Sequence, residues 1–299
     1  MNKKYKEDFL RAGELAGKVR SFGKSLIKKG ASYNDVIAKV NQKILELGGY
    51  PAFPPQMALG SVAAHFLPGP GKDVIFSDEV VKLDVGVSYN GAIGDCAVTI
   101  DLSGKYQTLI DAAEAALLAA EQSIKVGQRT HEIGAIIEKT ITSYGFNPIR
   151  NLSGHGLGPY QIHTPPTIPN YDDESTVIIR PAMTFAIEPF ATTGKGWIYE
   201  VGEATIFALL AEKPITAQYS ALFAKIKSFN GLPFAMHDLI SETLPLQEVQ
   251  KGLLELMKAH VITGYPPLVE ESYGIVAQAE NSVLIDEKGK VFITTRTSQ

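Results

Sequence analysis

One cysteine, Cys96, stands among 299 residues, so no intrachain disulfide can form and a reducing compartment suits the chain. No run of about 20 apolar residues occurs, which excludes a spanning helix. No charge of one sign accumulates: 28 Lys and Arg face 32 Asp and Glu, for a net charge of -4, and there is no basic tail. Nucleic acid is therefore not an expected specific partner. The opening MNKKYKEDFLRAGELAGKVR is charged and amphipathic, unlike a signal peptide. These absences point to the cytoplasm. What is present is ordinary for a folded protein, 45% hydrophobic and 20% charged, and the length allows one large domain or two smaller ones.

Helical periodicity runs from Lys6 to Ile27, with Phe9, Ala12, Ala16, Val19 and Phe22 on one face. A capping-box pattern, Ser32 followed by Asp35, opens a second helix that reaches about Leu47 and stops at GGYPAFPP. Further helices are expected from Leu109 to Val126 and then up to Gly145 and Pro148. The segment 27–51 lies over 124–148 at an offset of 97, matching Gly30 with Gly127, Gly48 with Gly145 and Pro51 with Pro148. This implies an internal duplication, with a site where the two halves meet. The same offset carries His65 to position 162, beside His163. Strand-like sequence begins at Arg150. It gives way to amphipathic helical patterns over about 211–262, an expected inserted subdomain, and returns in YGIVAQAENSVLIDEKGKVFITT. The insert's five Lys against five acidic residues give a DNA-binding reading no electrostatic support.

The sequence VVKLDVGVSYNGAIGDCAVTI reads as a hairpin, yet it holds Asp84 and Asp95, and aspartate is a poor strand residue. A two-residue turn at Asn90-Gly91 would pair position 84 with 97 and make 95 its diagonal neighbour; a longer loop would pair 84 with 95 directly. Either way both carboxylates share one face, with Cβ atoms roughly 5–8 Å apart. Two buried like charges repel and lose hydration, and a cation between them removes both penalties. His155 in SGHGLG, Glu188 in FAIEPF and Glu280 in VAQAENSVLI sit in similarly apolar settings. Four carboxylates and one imidazole suit two divalent ions such as Co²⁺, Mn²⁺, Fe²⁺ or Zn²⁺. His65 and His163 remain as acid/base groups outside the metal shell. The alternative is a structural carboxylate cluster neutralised by Arg or Lys from elsewhere in the fold.

The ordered set KLDVG, GDCAVTI, SGHGLG, AIEPF and AQAENSVL resembles the ligand signature of the methionine aminopeptidases. The resemblance spans essentially the whole chain. It implies an α+β pita-bread fold: one catalytic domain over 1–299, a pseudo-two-fold antiparallel sheet flanked by helices, and the helical insertion. It also implies hydrolytic removal of N-terminal methionine from peptides and nascent chains by a monomeric enzyme, with ribosome contact plausible. The implied ligands are Asp84, Asp95, His155, Glu188 and Glu280, with Glu188 also the general base. His65 and His163 match the substrate-side histidines. Phe53, Ile162 and Tyr265 would line the methionine pocket, with Ile206 a looser match. The helical segment between Glu188 and Glu280, together with GYPPL, resembles type 2 enzymes, and the chain's start close to the catalytic domain resembles the archaeal form. Two rivals share the fold: a proline-specific aminopeptidase or dipeptidase, and a non-catalytic binding protein, a kind that typically loses the metal ligands, whereas all five stand here.

Overall fold

The structure is a computed structural model that describes residues 1–296. Four helices frame it: α1 (Lys3–Leu26), α2 (Tyr33–Glu46), α3 (Gln107–Ser123) and α4 (Thr130–Ser143). The offset of 97 holds residue for residue, since α2 maps onto α4 and the short strand Tyr50–Pro51 onto Asn147–Pro148. The shared end signals have one cause. Gly48 and Gly145 both take the left-handed conformation, at φ 81° and 82°, that stops each helix, and Gly30 and Gly127 do the same before each helix start. Helix α1 begins earlier than its periodicity suggests because Asn2 caps it, accepting from the Tyr5 amide at 2.7 Å. Helix α3 ends at Ser123 rather than Val126, because the chain turns extended at Ile124 toward Gly127. The Ser32 hydroxyl caps α2 as expected, accepting from Asp35 N at 3.1 Å.

The two halves have matching sheets. In the first, the strand Val80–Tyr89 is flanked by Ala92–Asp101 on one edge and by Tyr50–Pro51 and Gln56–Leu59 on the other. In the second, Thr184–Ile187 and Phe190–Thr192 together take the central role. They pair with Asn281–Ile285 and Val276–Gln278 on one edge, and with Ser153–Gly158 and Asn147–Pro148 on the other. The helices cover the outer faces. Val36, Val40 and Ile44 of α2 share a core with Leu83, Val85 and Val87, while Ile133, Ile137 and Ile141 of α4 share one with Phe185 and Ile187. A third cluster, including Phe9, Ile93, Ala186 and Leu284, joins the halves.

The segment expected to be purely helical holds α5 (Ser220–Lys227), α6 (Met236–Leu239) and α7 (Leu246–Lys258). It also holds a short strand, Phe234–Ala235, paired with Ile206–Leu209, which in turn pairs with Ile262–Tyr265. These helices bury Leu222, Phe223, Val249 and Leu253 with Phe207 and Phe234 in a core of their own.

The Asp286 carboxylate ties the start of α1 to the C-terminal strands. It accepts from Lys6 Nζ at 2.8 Å and from the backbone amides of Lys288 and Lys290. The Lys6 ammonium and these amides hold its pKa down to about 2. A depressed folded pKa contributes stability above the unfolded value, near 4, that is lost as pH falls through the folded one. Asp286→Asn should therefore lower the melting temperature at neutral pH, and the gap from the parent should close in thermal scans carried down to about pH 2.

Candidate metal centre

Asn90 at φ 51° and Gly91 at φ 85° form the tight turn of the aspartate hairpin. The register pairs Asp84 with Ala97 and Gly86 with Asp95. Of the two loop lengths open from sequence, the two-residue turn is the one found, and Asp84 and Asp95 are diagonal neighbours on one face. In the second half, Ile187 pairs with Asn281 and Phe190 with Gln278, which brings Glu188 opposite Glu280. Pro189 has no amide hydrogen, so both strands break there and the glutamates stand clear of the ladder. The two halves thus turn their carboxylates toward each other.

His155 comes from the strand Ser153–Gly158 and closes the group. Its Nε2 lies 3.8 Å from Asp95 Oδ2 and 3.6 Å from Glu188 Oε1. Ligand atoms of Asp95, His155 and Glu280 lie within 4.8 Å of one another. Its Nδ1 lies 3.4 Å from the Gly156 carbonyl, which favours the tautomer that leaves Nε2 as a free acceptor. Burial drives the Asp84 carboxyl up to about 7. Burial first, then the neighbouring carboxylates, drives Asp95, Glu188 and Glu280 well above the usual carboxyl range. Burial, with the neighbouring His163, pushes His155 down to about 3, so its imidazole is neutral.

A compensating Arg or Lys is not what neutralises this cluster. Among the described residues none of the four carboxylates is salt-bridged to lysine or arginine. Lys82, fully buried two residues before Asp84, donates to the Gly60 carbonyl instead. The buried Oδ1 atoms of Asp84 and Asp95 have no hydrogen-bond partner. Unpaired buried oxygens around a neutral imidazole form a donor set that fits divalent cations. The structural-cluster alternative therefore fails on its own requirement.

All five residues line one cavity of about 520 Å³. His65 and His163 border it with Phe53, Ile162, Ile206 and Tyr265. The His155 and His163 rings meet edge to face at 4.4 Å, and His65 and Tyr265 do so at 5.3 Å. Burial, with His163 nearby, pushes His65 down to about 4. Burial also lowers His163, although one side of it reaches solvent. His65 takes φ 62°, rare for a residue with a side chain, and its buried Nδ1 is unpartnered. Sequence reasoning missed Gln56, opposite Asp84 in the sheet, and Gln278, whose amide lies 3.4 Å from both Glu188 and Glu280. The available signal was alternation, since Gln278 and Glu280 sit two apart and so face the same side. A larger cavity of about 880 Å³, lined in part by Pro54 and Pro55, includes none of the four acidic residues.

This cavity floor places the chain in a defined class, and it belongs to metallopeptidase family M24, whose model matches residues 7–287. It is 38% identical to the methionine aminopeptidase of Thermococcus onnurineus over 294 residues, covering 97% of this chain and 99% of that protein. It is 38% identical to the methionine aminopeptidase of Methanocaldococcus jannaschii over 293 residues, covering 97% and 98%. Solved structures share the fold. The methionine aminopeptidase of Thermotoga maritima aligns at TM-score 0.72 and 23% identity over 99% of this chain and 98% of that one. A thermophilic Arx1 aligns at TM-score 0.84 and 14% identity, over 98% and 91%. The prolidase of Pyrococcus furiosus aligns at TM-score 0.64 and 20% identity, with this chain covering 65% of its length.

Raised carboxyl pKa values have a defined sign in the metal-free protein. The folded state holds extra protons, so its stability falls as pH rises from about 4 through about 7. Divalent ions displace those protons. Adding Mn²⁺ to chelator-treated protein should raise the melting temperature more at about pH 7 than at about pH 5, with proton release detectable by calorimetry in two buffers. Equal shifts at both pH values, or no shift, would contradict the metal-site assignment.

Proposed function

We propose that Asp84, Asp95, His155, Glu188 and Glu280 hold two divalent ions, and that the chain uses them to remove N-terminal methionine from peptides and nascent proteins. One observation carries this reading: four carboxylates and a neutral imidazole, with no lysine or arginine partner among the described residues, form the floor of an apolar-walled cavity in a family M24 chain. The curated relatives, matched end to end, support the same substrate. No helix of the described residues is long and apolar enough to cross a membrane. The same reading makes the chain a monomeric enzyme of the cytoplasm that meets nascent chains there, at the ribosome or after release.

Ions bound at this floor supply Lewis acidity and a nucleophilic water at neutral pH. The chain's own residues do the rest. Phe53, Ile162, Ile206 and Tyr265 enclose the methionine side chain, where an apolar wall suits a thioether. Glu188, on the cavity floor with its side chain 14% exposed, takes the proton of the attacking water. His65 and His163 are held neutral, so each can donate a hydrogen bond to the scissile carbonyl and to the oxyanion that follows it. The inserted segment reaches the side-chain pocket through Pro233, and its strand Phe234–Ala235 backs the wall residue Ile206, which pairs with Ala235 and Tyr265.

The test is hydrolysis of Met-Gly-Met-Met by metal-loaded protein against a panel of Xaa-Pro peptides. Release of one methionine from the first and no cleavage of the panel is expected; the reverse would favour a proline-specific enzyme. Glu188→Gln should abolish turnover. His163→Ala should lower kcat roughly 100-fold with metal content retained, and cleavage at the parental rate would remove His163 from the mechanism. Gly86 backs the Phe53 ring so closely that an added Cβ would lie 2.2 Å from Phe53 Cε1. Gly86→Ala should push that ring into the pocket and raise KM for methionyl peptides roughly 10-fold with kcat little changed.

A further inference from the structure

The strand Ala92–Asp101 of the first half runs beside Val276–Gln278 and Asn281–Ile285 of the second, yet they belong to different sheets. Bonds across this seam follow a pattern of their own. At its centre the Glu280 amide donates to the Ala97 carbonyl at 3.3 Å. Two residues to one side, the Thr99 hydroxyl donates to the Gln278 carbonyl at 2.6 Å and accepts from the Gln278 amide at 2.8 Å. Two residues to the other side, the Ser282 hydroxyl donates to the Asp95 carbonyl at 2.9 Å and accepts from the Asp95 amide at 2.8 Å. A side-chain hydroxyl thus does, at each end, what a backbone pair does in a ladder.

The two contacts are one contact repeated by the duplication. Pro51 pairs with Val87, which pairs with Gly94; Pro148 pairs with Ala191, which pairs with Ala277. Gly94 therefore corresponds to Ala277, and counting on from there, Asp95 corresponds to Gln278, Ala97 to Glu280 and Thr99 to Ser282. Each half contributes one hydroxyl that grips the backbone of the other. Thr99, Gln278 and Ser282 are all buried, with 4%, 2% and 0% exposure, so water does not compete for these bonds. A hydroxyl thus stands between the strands at each end, and the direct Glu280–Ala97 bond holds the centre. The carboxylates of Asp95 and Glu280 converge beside this seam.

We infer that Thr99 and Ser282 are positioning residues, a two-fold clasp that sets the separation of Asp95 and Glu280 and so the fit of the carboxylate cluster to a pair of divalent ions. This rests on the dinuclear reading of the site given above. Neither hydroxyl touches substrate; each acts through the backbone of a residue beside or within the ligand set. Thr99→Val keeps the side-chain shape and leaves the Gln278 amide and carbonyl unpaired, and Ser282→Ala does the same to Asp95. Thr99→Ser and Ser282→Thr keep the hydroxyl.

The experiment measures Mn²⁺ binding by calorimetry and the spin-coupled manganese signal by electron paramagnetic resonance on all four variants. Turnover of Met-Gly-Met-Met is measured alongside. Val249→Ala, in the separate core around α7, controls for general loss of stability. Thr99→Val and Ser282→Ala should each weaken at least one ion about 10-fold or more, lose the coupled signal and lower kcat with KM unchanged. The hydroxyl-retaining pair and the control should stay close to the parent in ion affinity and coupling. Parental affinity and coupling in either hydroxyl-deleted variant would overturn the clasp. Should one of these variants fail to fold, the other decides, because the two contacts are equivalent. A parent that binds no coupled pair would instead overturn the dinuclear reading, and the clasp with it.

Discussion

Four carboxyl groups share one buried space, and among the described residues no lysine or arginine pairs with them. An isolated buried carboxylate is costly enough that it usually takes a proton or a partner. Here the neighbours of each acid are the other acids, so proton uptake is the metal-free response and divalent cations are the response that fits the donor set. Much of the architecture serves this arrangement. Each half brings two carboxylates on a twisted ribbon, the helices cover the outer faces with aliphatic side chains, and the inner faces meet where the charge sits. The Arg20 guanidinium of α1 approaches from behind but spends its hydrogen bonds on the Glu280 carbonyl, Asn281 and Thr295, not on a carboxylate of the cluster.

The near-symmetry of the halves is broken at the positions that matter for chemistry. Asp84 and Glu188 occupy corresponding places, both acidic. Glu280 corresponds to Ala97, and Asp95 corresponds to Gln278. A strict copy of either half would keep four acids but set the second pair at equivalent strand positions, 95 and 278 or 97 and 280. The neutral amide of Gln278 lies between Glu188 and Glu280 at 3.4 Å from each, so it can donate to carboxylates without adding charge. Duplication supplied a frame with two equivalent faces, and these substitutions give one side a bare acid and the other an amide.

The features legible in the sequence are those written locally. The Asn90-Gly91 turn sets the register of the aspartate hairpin, so the shared face of Asp84 and Asp95 follows from a few residues. The paired glycines and prolines at the helix ends carry the duplication. The apolar settings of Glu188 and Glu280 mark them as misplaced unless something binds them. The Thr99 and Ser282 contacts were not legible, because a hydroxyl in a strand has no local sign of which backbone it grips across more than 170 residues. The left-handed backbone of His65 was equally hidden, since its neighbours give no turn signal. The two-residue strand Phe234–Ala235 depends entirely on its partner Ile206–Leu209, and periodicity cannot show a strand that short.

The cavity separates two tasks by origin. Its charged floor comes from the duplicated halves, where any shift changes the distances among four acids. Its apolar wall comes partly from elsewhere: Ile206 and Tyr265 are cross-strand partners on the small sheet beside the inserted helices, and Pro233 stands next to them. That sheet rests on its own core of Phe207, Phe234, Leu222 and Val249. Ile206 and Tyr265 themselves, however, pack with the first half's core, which includes Leu83 and Val85 on either side of Asp84, so the wall is coupled to the floor through that strand.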